Sequence, residues 1–345
     1  MATPDDAYEV KSTFNERYGI LSRKMLRLLS EDSRVSISEL AKALGVSRRT
    51  AANRLRGIEG EFSIKYSLEL NEQVLNLTRP HLIAVKFKKK PDYDAITKML
   101  QSSYIPQCAV ATKGHYDMLV YANSHDSKEY AHWEKSMQIL LSEYEADWRT
   151  SEIVHRQLGF FPIRNELLDR IDIPDKYKAL LKILNVNSRA SFNNISKELD
   201  MHVSSVAYNF NRLLKLGYIK RFTLSMDPPK DLSFMSFFAK YNPSRRYEVH
   251  CSIARKALMY DDPNSLVSRY LITAPLLGSY DFFTMGAFDN ADVAYSADVK
   301  FHKHVFKEDK VRVVHAAVDR VLFGRLPIRS LDTSKEYNMI RWNVT

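Results

Sequence analysis

Apolar residues at Ile20, Leu21, Met25, Leu28 and Leu29 recur at helical spacing, and a second apolar set follows at Ile37, Leu40, Ala41 and Leu44. Ser36 is placed to cap the second of these helices. Gly45 permits a sharp turn, Val46 is apolar and suited to plug the angle between helices, and Ser47 caps a third helix through its hydroxyl. That third segment, "SRRTAANRLRGIE", offers Ala51 or Ala52, Leu55 and Ile58 to a core. The order predicts a helix-turn-helix. After Ile58 the period changes: Phe62, Ile64, Tyr66 and Leu68 alternate with Ser63, Lys65 and Ser67, which predicts a strand and therefore a wing.

Downstream, strands alternate with helices. "HLIAVKFKK" predicts a strand, "DAITKMLQSS" a helix, "QCAVATKGHYDMLVYANS" a pair of strands, "KEYAHWEKSMQILLSEY" a helix and "DWRTSEIVHR" a last strand. This β-α-β-β-α-β order is that of a ferredoxin-like unit.

The chain then repeats itself. "SRVSISELAKALGVSRRTAANRLRGIEGEFSIKY" from Ser33 aligns without a gap on "SRASFNNISKELDMHVSSVAYNFNRLLKLGYIKR" from Ser188, 155 positions on. "GHYDMLVYA" at Gly114 aligns with "GSYDFFTMG" at Gly278, and "GFFPIR" at Gly159 with "GRLPIR" at Gly324. The later strands and helices are "DLSFMSFFAKY", "EVHCSIARKALMY", "YLITAPLL", "SYDFFTMGAF", "ADVAYSADVKFHKHVF" and "KVRVVHAAVDRVLF". The period is too long for a solenoid, so the prediction is an α+β chain of two repeats joined within "FFPIRNELLDRIDIPDK". Each repeat has two parts: winged helix-turn-helix domains at 17–70 and 171–227, and ferredoxin-like domains at 78–160 and 231–328.

Composition narrows the class. The 345 residues are 45% hydrophobic and 27% charged, enough to bury several cores. Lys and Arg number 51 against 41 Asp and Glu, and the formal charge of +10 favours a polyanionic partner. No apolar run reaches the roughly 18 residues that span a bilayer, and the start lacks the pattern of a signal peptide. A cytoplasmic protein without a membrane partner is expected. Cys108 and Cys251 lie far apart without CxxC spacing, so neither a disulfide framework nor a thiolate zinc site is indicated. No cofactor or metal is expected either, since glycine-rich phosphate loops, HExxH and GxSxG motifs are missing.

Positive charge concentrates on the third helix. Arg48, Arg49, Arg54 and Arg56 are opposed there only by Glu59, and Ser47, Thr50 and Asn53 lie among them. Exposed arginines grip phosphates or bond guanine O6 and N7 in pairs, and the N-terminal half of such a helix meets bases. The plain alternative is a solvated basic face that makes only protein contacts. In the second copy Arg212 alone remains, His202 replaces Ser47 and Asn209 replaces Arg54. Ser204, Ser205, Tyr208 and Asn211 still suit phosphates or bases, while Lys65 in the first copy and Lys215, Lys220 and Arg221 in the second fall at the wings. A copy kept for packing or protein contact is the alternative there.

These residues resemble the Lrp/AsnC, or feast/famine, regulators. "SRVSISELAKALGVSRRTAANRLRGIE" follows that family's pattern, including Leu40, Ala41, Leu44, Ser47, Arg54 and Leu55, and "GHYD" is similar to the turn before the third strand of its effector domain. The resemblance implies a sequence-specific regulator of double-stranded DNA. It also implies an amino acid or similar effector near Gly114 and Asp117 and near Gly278 and Asp281, where the alternative is a tight turn capped by aspartate. Family members pair through their effector domains, which a tandem chain can do internally. A symmetric site is read by two equivalent helices, so the expectation is a homodimer or larger even oligomer on a pseudo-palindrome, read mainly by the two first-copy helices. The link from Ile163 to Pro174, about 10 residues, reaches at most about 33–36 Å if extended. Siroheme decarboxylases resemble the same family, and such an enzyme would draw on His115, His155, His302, His304 and His315.

Overall fold

The computed structural model describes residues 19–62, 64–77, 80–156, 158–225, 232–241, 270–306 and 312–331. The helix expected at "EVHCSIARKALMY", Cys251, and positions 17–18, 78–79, 226–227 and 231 of the expected domains lie outside these residues, as do the side chains of His302 and His304.

The first repeat opens with α1 (Gly19–Glu31), α2 (Ile37–Leu44) and α3 (Arg48–Phe62), then β1 (Lys65–Leu70). Ser36 caps α2 in a reciprocal box: Glu39 N–H donates to Ser36 Oγ (3.2 Å) and Ser36 N–H to Glu39 Oε2 (2.8 Å). Gly45 ends α2 in the left-handed region at φ 67°. Next come β2 (His81–Lys86), α4 (Tyr93–Gln101), β3 (Pro106–Gly114), β4 (Met118–Ala122), α5 (Ser127–Leu140) and β5 (Asp147–Ile153), in the expected β-α-β-β-α-β order. The short strand β6 (Leu158–Phe160) and helix α6 (Asn165–Leu168) follow. The link between repeats is folded, with Ile163, Leu167, Leu168 and Ile171 buried.

The second repeat runs α7 (Asp175–Val186), α8 (Phe192–Glu198), α9 (Val203–Lys215), β7 (Ile219–Ser225) and β8 (Ser233–Lys240). It continues with β9 (Tyr270–Gly278), β10 (Phe282–Phe288), α10 (Ala291–Phe306), β11 (Arg312–Phe323) and β12 (Ile328–Leu331).

The expected wing strands join across the repeats: β1 pairs antiparallel with β7, from Lys65 opposite Ser225 to Leu70 opposite Ile219, while Tyr66 still packs on the helices of its own copy and Ile219 on those of the second. Each strand also fills the other copy's core. Leu224 of β7 packs with Met25, Leu29, Leu40, Leu55 and Ile58, while Leu68 and Leu70 of β1 pack with Leu180, Leu184, Ile195, Val206 and Leu213. Leu75 and Leu77, just after β1, lie in the same buried cluster as Leu68 and Leu70.

The other strands close a ring. The orders β3-β4-β2-β5 and β9-β10-β8-β11 join through β5 with β9 and through β11 with β3, giving eight antiparallel strands with no free edge among them. Alternation along each strand sends one set of side chains inward, where Leu82, Ala84, Val110 and Leu119 meet Phe238, Ile272, Phe283 and Met285. The opposite set lies under helices: Ile83, Val85 and Val120 beneath Ile96 of α4 and Trp133 of α5, and Phe237 and Phe282 beneath Ala294 and Ala297 of α10. Among the described residues no helix is long and apolar enough to cross a membrane.

Candidate nucleic-acid interface

The N-terminus of α3 is set by Ser47, whose Oγ accepts from Thr50 N–H at 3.1 Å and lies 2.8 Å from Thr50 Oγ1. Ala51, Leu55 and Ile58 are buried at helical spacing, which turns the remaining residues outward. Arg48, Arg49, Thr50, Asn53, Arg54 and Arg56 are all exposed. Arg56 Nη2 donates to Asn53 Oδ1 at 2.6 Å, fixing part of that surface. Glu59, the acid of this helix nearest the arginines in sequence, accepts from the Tyr66 hydroxyl, and burial together with that bond pushes the Tyr66 phenol well above its ordinary range.

The matching face of α9 has different chemistry. Val206, Asn209, Phe210 and Leu213 are buried, and His202, Val203, Ser204, Tyr208 and Asn211 are exposed, with Ser205 half-buried. Asn209 thus turns inward at the position where α3 carries outward Arg54. His202 precedes the helix without a side-chain cap, in contrast to Ser47.

The strand lysines divide. Lys65 is exposed at the start of β1. Lys220 Nζ and Arg221 Nε each lie 3.4 Å from the buried Glu69 carboxylate on the paired strand, so both serve the ladder between repeats.

Contacts at the centre of the helix-turn-helix pair are reciprocal. Ser33 Oγ and Ser188 Oγ, both fully buried, lie 2.7 Å apart. Arg34 Nη1 donates to the Ser188 carbonyl and Arg189 Nη1 to the Ser33 carbonyl (2.8 Å), and Arg34 Nη1 also reaches the Ala190 carbonyl (3.2 Å). The Arg34 guanidinium also lies over Phe192, Phe210 and Phe222, and that of Arg189 over Tyr66. Equivalent residues exchanging equivalent bonds across an antiparallel ladder define a local two-fold. The sequence carried the signal, since both repeats begin with Ser-Arg.

At one end of the strand ring the two glycine-to-aspartate turns meet, and the hydroxyls of Tyr116 and Tyr280 are hydrogen-bonded. Asp117 accepts from Phe87 N–H (2.9 Å) and pairs with Lys86 (2.8 Å), and Asp281 accepts from Tyr241 N–H (2.8 Å). Gly114 (φ 128°) and Gly278 (φ 134°) sit where the repeats join: a Cβ on either would come 2.8 Å from a carbonyl oxygen, of His315 and Thr150 respectively. These four residues thus close turns and seams. His115 N–H donates to the His315 carbonyl, and burial, then Arg312, Lys86, His315 and Arg149, hold the His115 imidazole below its ordinary range. Among the described residues no three His, Cys, Asp or Glu side chains are grouped to hold a metal ion.

A cluster that sequence reasoning missed joins the ladder to the ring. Glu72, buried, pairs with Arg156 Nη1 at 2.7 Å and accepts from Asn123 Nδ2 at 3.2 Å, and burial pushes its carboxyl up against the pull of Arg156. These residues are distant in sequence and fit no motif.

An AsnC-type helix-turn-helix domain profile matches residues 20–59, and a winged helix-turn-helix DNA-binding profile matches residues 176–220. An uncharacterised HTH-type transcriptional regulator of Pyrococcus furiosus is 30% identical over 118 residues, covering 34% of this chain and 79% of the relative. One of Pyrococcus horikoshii is 30% identical over 103 residues, covering 30% of this chain and 69% of the relative. Among solved structures, the siroheme decarboxylase NirDL superposes with a TM-score of 0.56 at 13% identity, covering 92% of this chain and 96% of that one. That likeness is one of fold. Helix-turn-helix architecture and an exposed arginine face define a DNA-binding transcriptional regulator. Within that class, the chain belongs to the Lrp/AsnC family.

Proposed function

We propose that this regulator reads double-stranded DNA by sequence through Ser47, Arg48, Arg49, Thr50, Asn53, Arg54 and Arg56 of α3, in the cytoplasm, without catalysing a reaction. The observation that carries this reading is the face itself: a capped helix turns four arginines to solvent while its apolar stripe is buried. Lys65, Ser204, Ser205, Tyr208 and Lys220 contribute secondary contacts to phosphates or bases, Lys220 less than Lys65 because Glu69 already holds it. Each chain carries two ferredoxin-like units, an inference supported by the element order of the first repeat and the matching register of the second.

A small effector, an amino acid or a similar zwitterion, binds at the end of the ring marked by Gly114, Asp117, Gly278 and Asp281. Lys86 and Lys240 offer positive charge to the carboxylate of such a molecule, and Asp117 and Asp281 beside them offer negative charge to its ammonium. Genome-wide occupancy of the full protein, followed by titration of the recovered duplex, tests the DNA reading, and absence of any enriched site would overturn it. Thermal shift against an amino-acid panel tests the effector: a rise in Tm with one member supports it, and none across the panel removes it.

The likeness to NirDL supports an enzyme as the second reading, with a tetrapyrrole as substrate. A Soret shift at one equivalent on titration with a siroheme-type tetrapyrrole would favour that reading, and no shift would remove it.

A further inference from the structure

The two recognition helices of one chain are held by matching contacts yet present unlike surfaces. The Ser33–Ser188 contact, the crossed Arg34 and Arg189 bonds and the β1–β7 ladder relate α3 to α9 by one local two-fold. Because Leu224 completes the core under α3, and Leu68 and Leu70 the core under α9, neither helix pivots without disturbing the other. Such an arrangement is already two-headed. A second copy of the chain would add another unlike pair instead of supplying a missing partner.

We infer that a single chain is the DNA-reading unit and that its preferred site is asymmetric, with a guanine-bearing half met by α3 and a thymine-bearing half met by α9. This rests on the DNA-binding reading above. Arg48 and Arg49 sit exposed at the start of α3, and a guanidinium matches guanine O6 and N7 as a bidentate donor. The corresponding start of α9 carries Val203 and Ser204, with Tyr208 and Asn211 beyond them on the same exposed side. An aliphatic side chain meets the thymine C5-methyl by apolar contact, while hydroxyls and amides bond phosphates or bases. Two equivalent heads select a pseudo-palindrome; two unlike heads on one rigid axis select two unlike half-sites. The homodimer on a pseudo-palindrome, expected from sequence, is therefore not needed to supply two heads.

Selection of random duplexes by the full-length protein tests this, with the mass of the complex measured on the recovered site. The expected result is a non-palindromic consensus, guanines confined to one half, and one chain per duplex. Arg48→Ala with Arg49→Ala should lower affinity at least tenfold and relax selectivity in the guanine half. Val203→Ala with Tyr208→Ala should cost less and relax only the other half. All four positions are exposed, and unchanged melting curves verify that each variant is folded. A palindromic consensus, or two chains required per duplex, overturns the inference while leaving DNA binding intact. No selective binding at all overturns both.

Discussion

At the residue scale, similar side chains acquire different work from their surroundings. Arg48 and Arg49 project from a helix end, whereas Arg34 and Arg189 are taken up by carbonyls and rings of the opposite repeat. Replacing Arg48 and Arg49 with alanine should also flatten the salt dependence of DNA binding, by roughly one unit of log–log slope for each phosphate no longer neutralised. Binding isotherms between low and moderate salt measure this. If His202→Ala with Ser204→Ala weakens binding as much, α3 is not the dominant reader. Glycine gives a second contrast. Gly114→Ala forces a methyl to within 2.8 Å of a backbone oxygen and should cost more than about 2 kcal/mol. Gly45→Ala, left-handed at φ 67° but with nothing within 4 Å of the added carbon, should cost only about 1 kcal/mol. Chemical denaturation of both variants checks the order.

At the element scale, the strand read as a wing matters more than the helices suggested. Its alternation was legible, with Tyr66 and Leu68 against Lys65 and Ser67, but the partner was not. Leu224→Ala, a change in the second repeat, should destabilise the first helix-turn-helix by about 2–5 kcal/mol through the cavity left among Met25, Leu29, Leu40 and Ile58. Hydrogen exchange should report faster exchange in α1 to α3 than in α8 and α9. The reverse pattern would contradict the exchange of strands between cores.

At the scale of the whole molecule, the helix-turn-helix pair and the strand ring are coupled through the buried Glu72 and the half-buried Arg156 beside the β1–β7 ladder. Burial raises the Glu72 pKa in the folded chain, so the folded state binds more protons than the unfolded state between the ordinary carboxylate value and the raised one. The Glu72 contribution to stability therefore falls as pH rises through that window. Wild type compared with Glu72→Gln isolates it, since the other carboxylates cancel in the difference: the stability gap between them should shift with pH across the window and be flat above it. A gap independent of pH would mean that Glu72 titrates as an ordinary carboxylate. Glu72→Gln also removes the charge that the half-buried Arg156 pairs with, which by itself lowers stability.

The sequence by itself determined the local elements, their duplication and the outward face of α3, because helical and strand periodicities encode which side of a segment is buried. The capping of α2 by Ser36 and of α3 by Ser47, and the left-handed Gly45, were legible for the same reason: each depends on neighbours within a few residues. Only the tertiary structure decided which core each strand completes, that Glu69 holds Lys220, and that Gly114 and Gly278 sit at seams between repeats. A periodic pattern states that a face must be covered and does not name the cover. With two copies of nearly the same apolar pattern in one chain, a strand finds an acceptable core in either copy, and the choice falls to the packing of the whole molecule.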